Sequence, residues 1–104
     1  MKRDRGRAAT RVLSPRASRP ATAYLAECLW AGVTEADIAE ADARARSATR
    51  SSATHYSGAL FVPRDDVVFF FFEGPSLSAV QRAAKRARIP SDRILETRRW
   101  GQER

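Results

Sequence analysis

The chain has 104 residues, 43% of them hydrophobic, and a formal net charge of +7 with a pI near 11.0. That length holds one domain at most. One cysteine, Cys28, excludes an internal disulfide framework and a cysteine-cluster zinc site, and no run approaches the roughly 18 apolar residues of a membrane span.

The charge is uneven. Residues 1–20 carry seven basic residues and one acid, a net of +6, whereas residues 21–104 are nearly neutral. This first segment has two prolines and few apolar residues, so it reads as a disordered basic tail rather than a secretory signal. An overlong start assignment accounts for it equally well. Arginine outnumbers lysine 17 to 2 and there are 19 alanines, a bias that fits a GC-rich bacterial genome. Arginine content is therefore weak evidence for an anionic partner. A basic tail without aromatics binds nucleic acid only non-specifically, and a specific nucleic-acid role is not expected.

The domain proper is expected over residues 21–104. Residues 21–30, ATAYLAECLW, read as a strand. Tyr24, Ala26, Cys28 and Trp30 lie on one face, and Ala23, Leu25, Glu27 and Leu29 on the other. Thr34 is a suitable N-cap, Asp37 approximates a capping box with it, and Glu35 suits the first helical turn. Ile38, Ala41, Ala45 and Ala48 then fall at helical spacing, a stripe of small residues that lets the helix lie close to a sheet. Residues 55–63 read as a second strand and 63–66 as a turn.

The third strand, 67–72, holds six apolar residues without a break: Val67, Val68, Phe69, Phe70, Phe71 and Phe72. A strand with one wet face alternates, so this one must be covered on both faces. Glu73-Gly74-Pro75-Ser76 ends it, with Pro75 and Ser76 opening a helix over 76–88 that buries Leu77, Val80, Ala84 and Ala87. Arg82, Lys85, Arg86 and Arg88 fall on its outer face, which reads as a solubilising surface rather than a nucleic-acid reader. Residues 93–100 form the last strand, with Ile94, Glu96, Arg98 and Trp100 on one face.

The order strand, helix, strand, strand, helix, strand is the α+β ferredoxin-like βαββαβ sandwich, an antiparallel sheet in the order 4-1-3-2. Strands 1 and 3 are then central, and these are the two that are apolar on both faces. Two helices cover only one face of such a sheet. The simplest cover for the other is a second copy, giving a homodimeric α+β barrel closed through the face that carries Phe69, Phe70, Phe71 and Phe72. A bound apolar ligand is the alternative cover.

The segments YLAECLW (24–30) and LFVPRDDVVFFFFEGPSLSAVQRAAKRARIPSDRILE (60–96), with their spacing, resemble the nickel-binding-protein-like family of small bacterial domains of unknown function. The resemblance spans about residues 22–100. It implies a ferredoxin-like fold, dimerisation and a divalent metal such as nickel. Those members look to have a histidine near the position of Gly58 and a cysteine near that of Phe70; this chain has neither. Its only histidine, His55, is three residues before Gly58 and, by strand parity, expected on the opposite face.

Glu27 is the most informative polar residue, a carboxylate at mid-strand between two leucines. It must be paired, protonated or liganded. One reading makes it a metal ligand with His55 and Glu96, a hard oxygen–nitrogen set. The structural reading pairs it with Arg93 or Arg99 on the fourth strand. Tyr24 and Trp30 join Glu27 and Glu96 as candidate ligand-binding residues, or else complete the core. Two readings of function follow. The first is a small cytoplasmic, homodimeric binding protein for a divalent metal or a small molecule. The second is a cofactor-free enzyme of the dimeric α+β barrel type, monooxygenase- or isomerase-like, with Glu27 and either Tyr24 or His55 as the acid/base groups. No phosphate loop, nucleophile elbow or HExxH motif is present in the sequence.

Overall fold

A computed structural model describes residues 21–98, 100 and 101. The N-terminal tail of residues 1–20 and the pairing candidate Arg99 lie outside the described residues. The elements are β1 (Thr22–Leu29), α1 (Glu35–Thr49), β2 (His55–Val62), a 3-10 turn (Pro63–Asp65), β3 (Val67–Gly74), α2 (Leu77–Arg86) and β4 (Arg93–Thr97). The sheet order is β2-β3-β1-β4, all neighbours antiparallel, which is the expected 4-1-3-2 order read from the other edge. No helix among the described residues is long and apolar enough to cross a membrane.

Local chemistry accounts for the helix boundaries. The Thr34 hydroxyl accepts from the Asp37 backbone N–H at 3.1 Å, and the Asp37 carboxylate accepts from the Thr34 N–H at 3.0 Å. This is a complete capping box. Ser76 caps α2 by accepting from the Ala79 N–H. The end of α2 is a Schellman turn: Ile89 N–H donates to Ala84 O at 2.9 Å and Arg88 N–H to Lys85 O at 3.0 Å. Arg88 takes the left-handed position at φ 56° that glycine usually fills.

The core lies between the helices and one sheet face. Tyr24, Ala26 and Cys28 of β1, Tyr56 of β2 and Val68, Phe70 and Phe72 of β3 meet Ala41 and Ala45 of α1 and Val80, Ala83 and Ala84 of α2. Small residues on the helices make room for large ones on the sheet. Leu77, expected inside, is 42% exposed, because it sits at the first turn of α2 where the helix overhangs the sheet end. Gly74 explains the Glu-Gly-Pro-Ser ending of β3. A Cβ there would stand 3.0 Å from Val80 Cγ2 and 3.2 Å from Thr54 Oγ1, so only glycine admits this approach without a shift.

Strand parity fails in one place. His55 pairs with Glu73, Tyr56 with Phe72, and then Gly58 with Phe71. Ser57 is the extra residue of a β-bulge, its hydroxyl donating to Phe71 O, and Gly58 follows at φ 136°. The bulge consumes one residue without advancing the register. His55 and Gly58 are therefore on the same face, not on opposite faces.

Candidate functional site: the open sheet face and the α1–β2 cleft

The register assigns every strand residue to a face. On the face away from the helices, four cross-strand rows align: His55–Glu73–Ala23–Thr97, Gly58–Phe71–Leu25–Leu95, Leu60–Phe69–Glu27–Arg93 and Val62–Val67–Leu29. The middle of this face is a wall of Leu25, Leu60, Phe69, Phe71 and Leu95. Among the described residues no element packs over it. Leu29 is 64% and Leu60 53% exposed.

Glu27 is the single acid in the middle of that wall. Arg93, directly opposite on β4, donates from Nε to Glu27 Oε1 at 2.5 Å. The Glu27 side chain is 20% exposed and that of Arg93 64%, so the carboxylate is half inside the wall and the guanidinium is at its rim. The sequence-level ion-pair reading thus describes the contact that Glu27 makes. β4 is held in this register by the bend before it: Asp92 N–H donates to Glu27 O, and Asp92 Oδ2 accepts from Leu29 N–H.

Glu96 is not beside Glu27. It pairs with Tyr24, on the helix-side face, and its carboxylate meets Arg98 at 3.4 Å. An odd separation between two residues on one strand, here Arg93 and Glu96, puts them on opposite faces. Glu27 therefore cannot share a site with Glu96. His55 is on the same face as Glu27 but two rows and two strands away, roughly 16 Å by strand geometry. Among the described residues no group of three or more His, Cys, Asp and Glu side chains is placed to hold a metal ion. The three residues proposed as metal ligands do not fit a metal within one chain.

The remaining candidates divide by face. Tyr24 is buried on the helix side, so its hydroxyl and the Glu27 carboxylate are on opposite sides of the sheet. Trp30, in the turn after β1, packs against the helix-side core. Trp100 falls beyond β4 and is 87% exposed, rather than continuing the strand. Cys28 is fully buried. Burial, helped by the Asp92 and Glu27 carboxylates, pushes its thiol from 9.0 up to about 12, which keeps it protonated and unreactive.

A second concavity was not anticipated from the sequence. Between α1 and β2 is an open cleft of about 500 Å3, lined from α1 by Glu35, Ile38, Ala39, Asp42 and Arg46 and from β2 by Gly58, Ala59 and Phe61. Its wall is polar and fixed. Tyr56 donates its hydroxyl to Asp42 Oδ1 at 2.6 Å, Asp42 pairs with Arg46 at 3.2 Å, and the Arg46 guanidinium stands 5.2 Å over the Tyr56 ring. Burial and the bond to Asp42 push the Tyr56 hydroxyl far above its ordinary range. The signal that marked this place was Ser57-Gly58, a glycine inside a strand pattern, which points to a bulge or a close approach.

These features can be set against known proteins. The chain is similar to SCO4226 from Streptomyces coelicolor A3(2), known from a crystal structure. The two share 25% sequence identity and superpose with a TM-score of 0.63, over 72% of this chain and 94% of that one. No family model matches the chain. No curated protein matches it either.

Proposed function

We propose that the chain acts as a small homodimeric binding domain, two copies closing sheet against sheet, and not as an enzyme. The observation that supports this is the open face, where Leu25, Leu29, Leu60, Phe69, Phe71 and Leu95 form one apolar wall across four strands. By strand spacing the whole open face, including its polar His55–Glu73–Ala23–Thr97 row, measures roughly 19 by 25 Å, a footprint of ~500 Å2. Two such faces bury about 1,000 Å2, the minimum expected of a specific interface. A contiguous apolar patch of this order matches the largest that soluble monomers typically expose, and such patches commonly mark interaction sites.

The enzyme reading has less support. Its acid/base pair requires Glu27 with Tyr24 or His55, but Glu27 is neutralised by Arg93, Tyr24 faces the helices, and His55 is two rows away. A divalent metal, nickel by family resemblance, needs ligands from more than one copy. Among the described residues, the open face places His55 opposite Glu73, a pair too small to hold a metal within one chain.

Native mass spectrometry, without and with added Ni2+, Zn2+ and Cu2+, tests both statements. The expected species has twice the 11.6 kDa chain mass. Leu60→Glu, at an exposed position, should return it to the monomer with its circular dichroism unchanged. A wild-type monomer at tens of micromolar would overturn the dimer. Stoichiometric metal that is lost in His55→Ala would assign the cargo, and a metal-free dimer would direct the search to small molecules.

A further inference from the structure

The cleft between α1 and β2 combines three features. β2 pairs only with β3, so its outer backbone N–H and C=O groups have no strand partner among the described residues. Beside its polar Asp42–Arg46 wall the cleft has an apolar part, Ile38, Ala39 and Phe61. The α1 wall of the cleft carries two acids, Glu35 and Asp42, and one cation, Arg46, which Asp42 already pairs. An occupant that suits all three is an extended, basic segment with a short aliphatic stretch.

The chain contains one. Residues 1–20 have seven basic residues against one acid, and Val12-Leu13 is their one pair of branched aliphatic residues, flanked by Arg11 and Arg16. Reach agrees as well. The tail joins β1 at Thr22, beside Gly74, at the sheet end where β2 begins. From there to the outer side of β2 is about three strand spacings, ~14 Å. The levels of Gly58 and Phe61 are three and six residues further along β3, ~10 and ~20 Å. The straight paths are therefore roughly 17 to 24 Å. Leu13 is nine residues before Thr22, and nine extended residues span about 30 Å. A tail travelling back along β2 from that end runs antiparallel to it.

We propose that Arg11-Val12-Leu13-Ser14 of this chain seats in the α1–β2 cleft, antiparallel to β2. Leu13 meets Ile38 and Phe61, Val12 turns to the other face, and Arg11, on the same face as Leu13, meets Glu35. The seat covers the free edge of β2 and gives the basic tail a binding site on its own domain. This does not depend on the dimer, whose face is on the other side of the sheet.

Disulfide trapping in the full chain tests it. Cys28 is buried and its thiol is held protonated, so it stays a bystander. Leu13→Cys is combined with Ala39→Cys in the cleft, or with Ser78→Cys near the start of α2. Ser78 is at the sheet end where the tail departs, so an undocked tail meets it more readily than Ala39. Docking predicts that the Leu13/Ala39 pair closes within one chain at least tenfold faster. High salt, or Glu35→Lys, should reduce that ratio. A Ser78 pair that closes as fast or faster overturns the proposal, as does a cross-link found only between two copies.

Discussion

Two arginines that look alike in the sequence do different things. Arg44 of α1 reaches the end of α2, donating from Nε to Ala87 O at 2.7 Å and from Nη2 to Arg88 O at 3.1 Å. In return Arg86 of α2 donates to Ala48 O near the end of α1 at 3.2 Å. Each helix thus satisfies terminal carbonyls of the other, groups with no partner inside their own helix. A charged donor on a partly buried carbonyl contributes more than a neutral one. Arg44→Ala should cost about 1–2 kcal/mol in urea unfolding, and Arg44→Lys should recover only part, because an ammonium does not span two carbonyls with a fixed fork. Arg88 is the opposite case. Its left-handed backbone at φ 56° is unfavourable for any residue with a Cβ, and its side chain is exposed. Arg88→Gly should therefore stabilise the domain by about 0.5–1 kcal/mol, read as a higher urea midpoint at unchanged slope.

At the level of elements, β2 is where backbone geometry decides what the site contains. The bulge at Ser57 brings His55 to the open face, and Gly58 beside it lines the cleft. It depends on Gly58, whose φ of 136° is closed to other residues, although a Cβ there would meet nothing within 4 Å. Gly58→Ala should then cost about 1–3 kcal/mol through backbone strain alone. Thermal unfolding checks it, with Ala59→Gly, beyond the bulge, as the milder comparison. This same element marks the limit of what the sequence makes legible. Strand order, the two-sided apolar β3, the capping box and the Ala-lined helix faces all follow from periodicity and end signals, which are local. A bulge inverts parity for everything before it, and its signal is a single Ser-Gly. The β4 register is likewise set by the Asp92 bend, not by alternation. Alternation assigned Glu96 to the face of Ile94, but it could not say which residue of β1 would be opposite. Pairing Glu27 with Arg93 was legible as a charge argument; excluding Glu96 required the register.

For the whole molecule, the decisive contrast is between a sheet face covered by two helices and a largely apolar face over which no described element packs. In the proposed dimer, Glu27 and Arg93 enter the interface as an ion pair, and their energetic sign can be worked out. Closing the face removes water from a carboxylate already only 20% exposed. Attraction to Arg93 offsets that desolvation but rarely exceeds it, and a well-packed apolar pair in place of buried charges is commonly neutral or better. Removing one partner alone leaves the other charge stranded in the wall. Glu27→Leu with Arg93→Leu should therefore tighten the dimer at least tenfold, whereas Arg93→Ala, which leaves Glu27 unpaired among Leu25, Leu29 and Phe69, should weaken it by a similar factor. Sedimentation equilibrium across a range of concentrations reads both. Opposite shifts would locate the charge pair inside the interface. An unchanged dissociation constant in both variants would mean that the copies meet elsewhere and that the open face serves another partner.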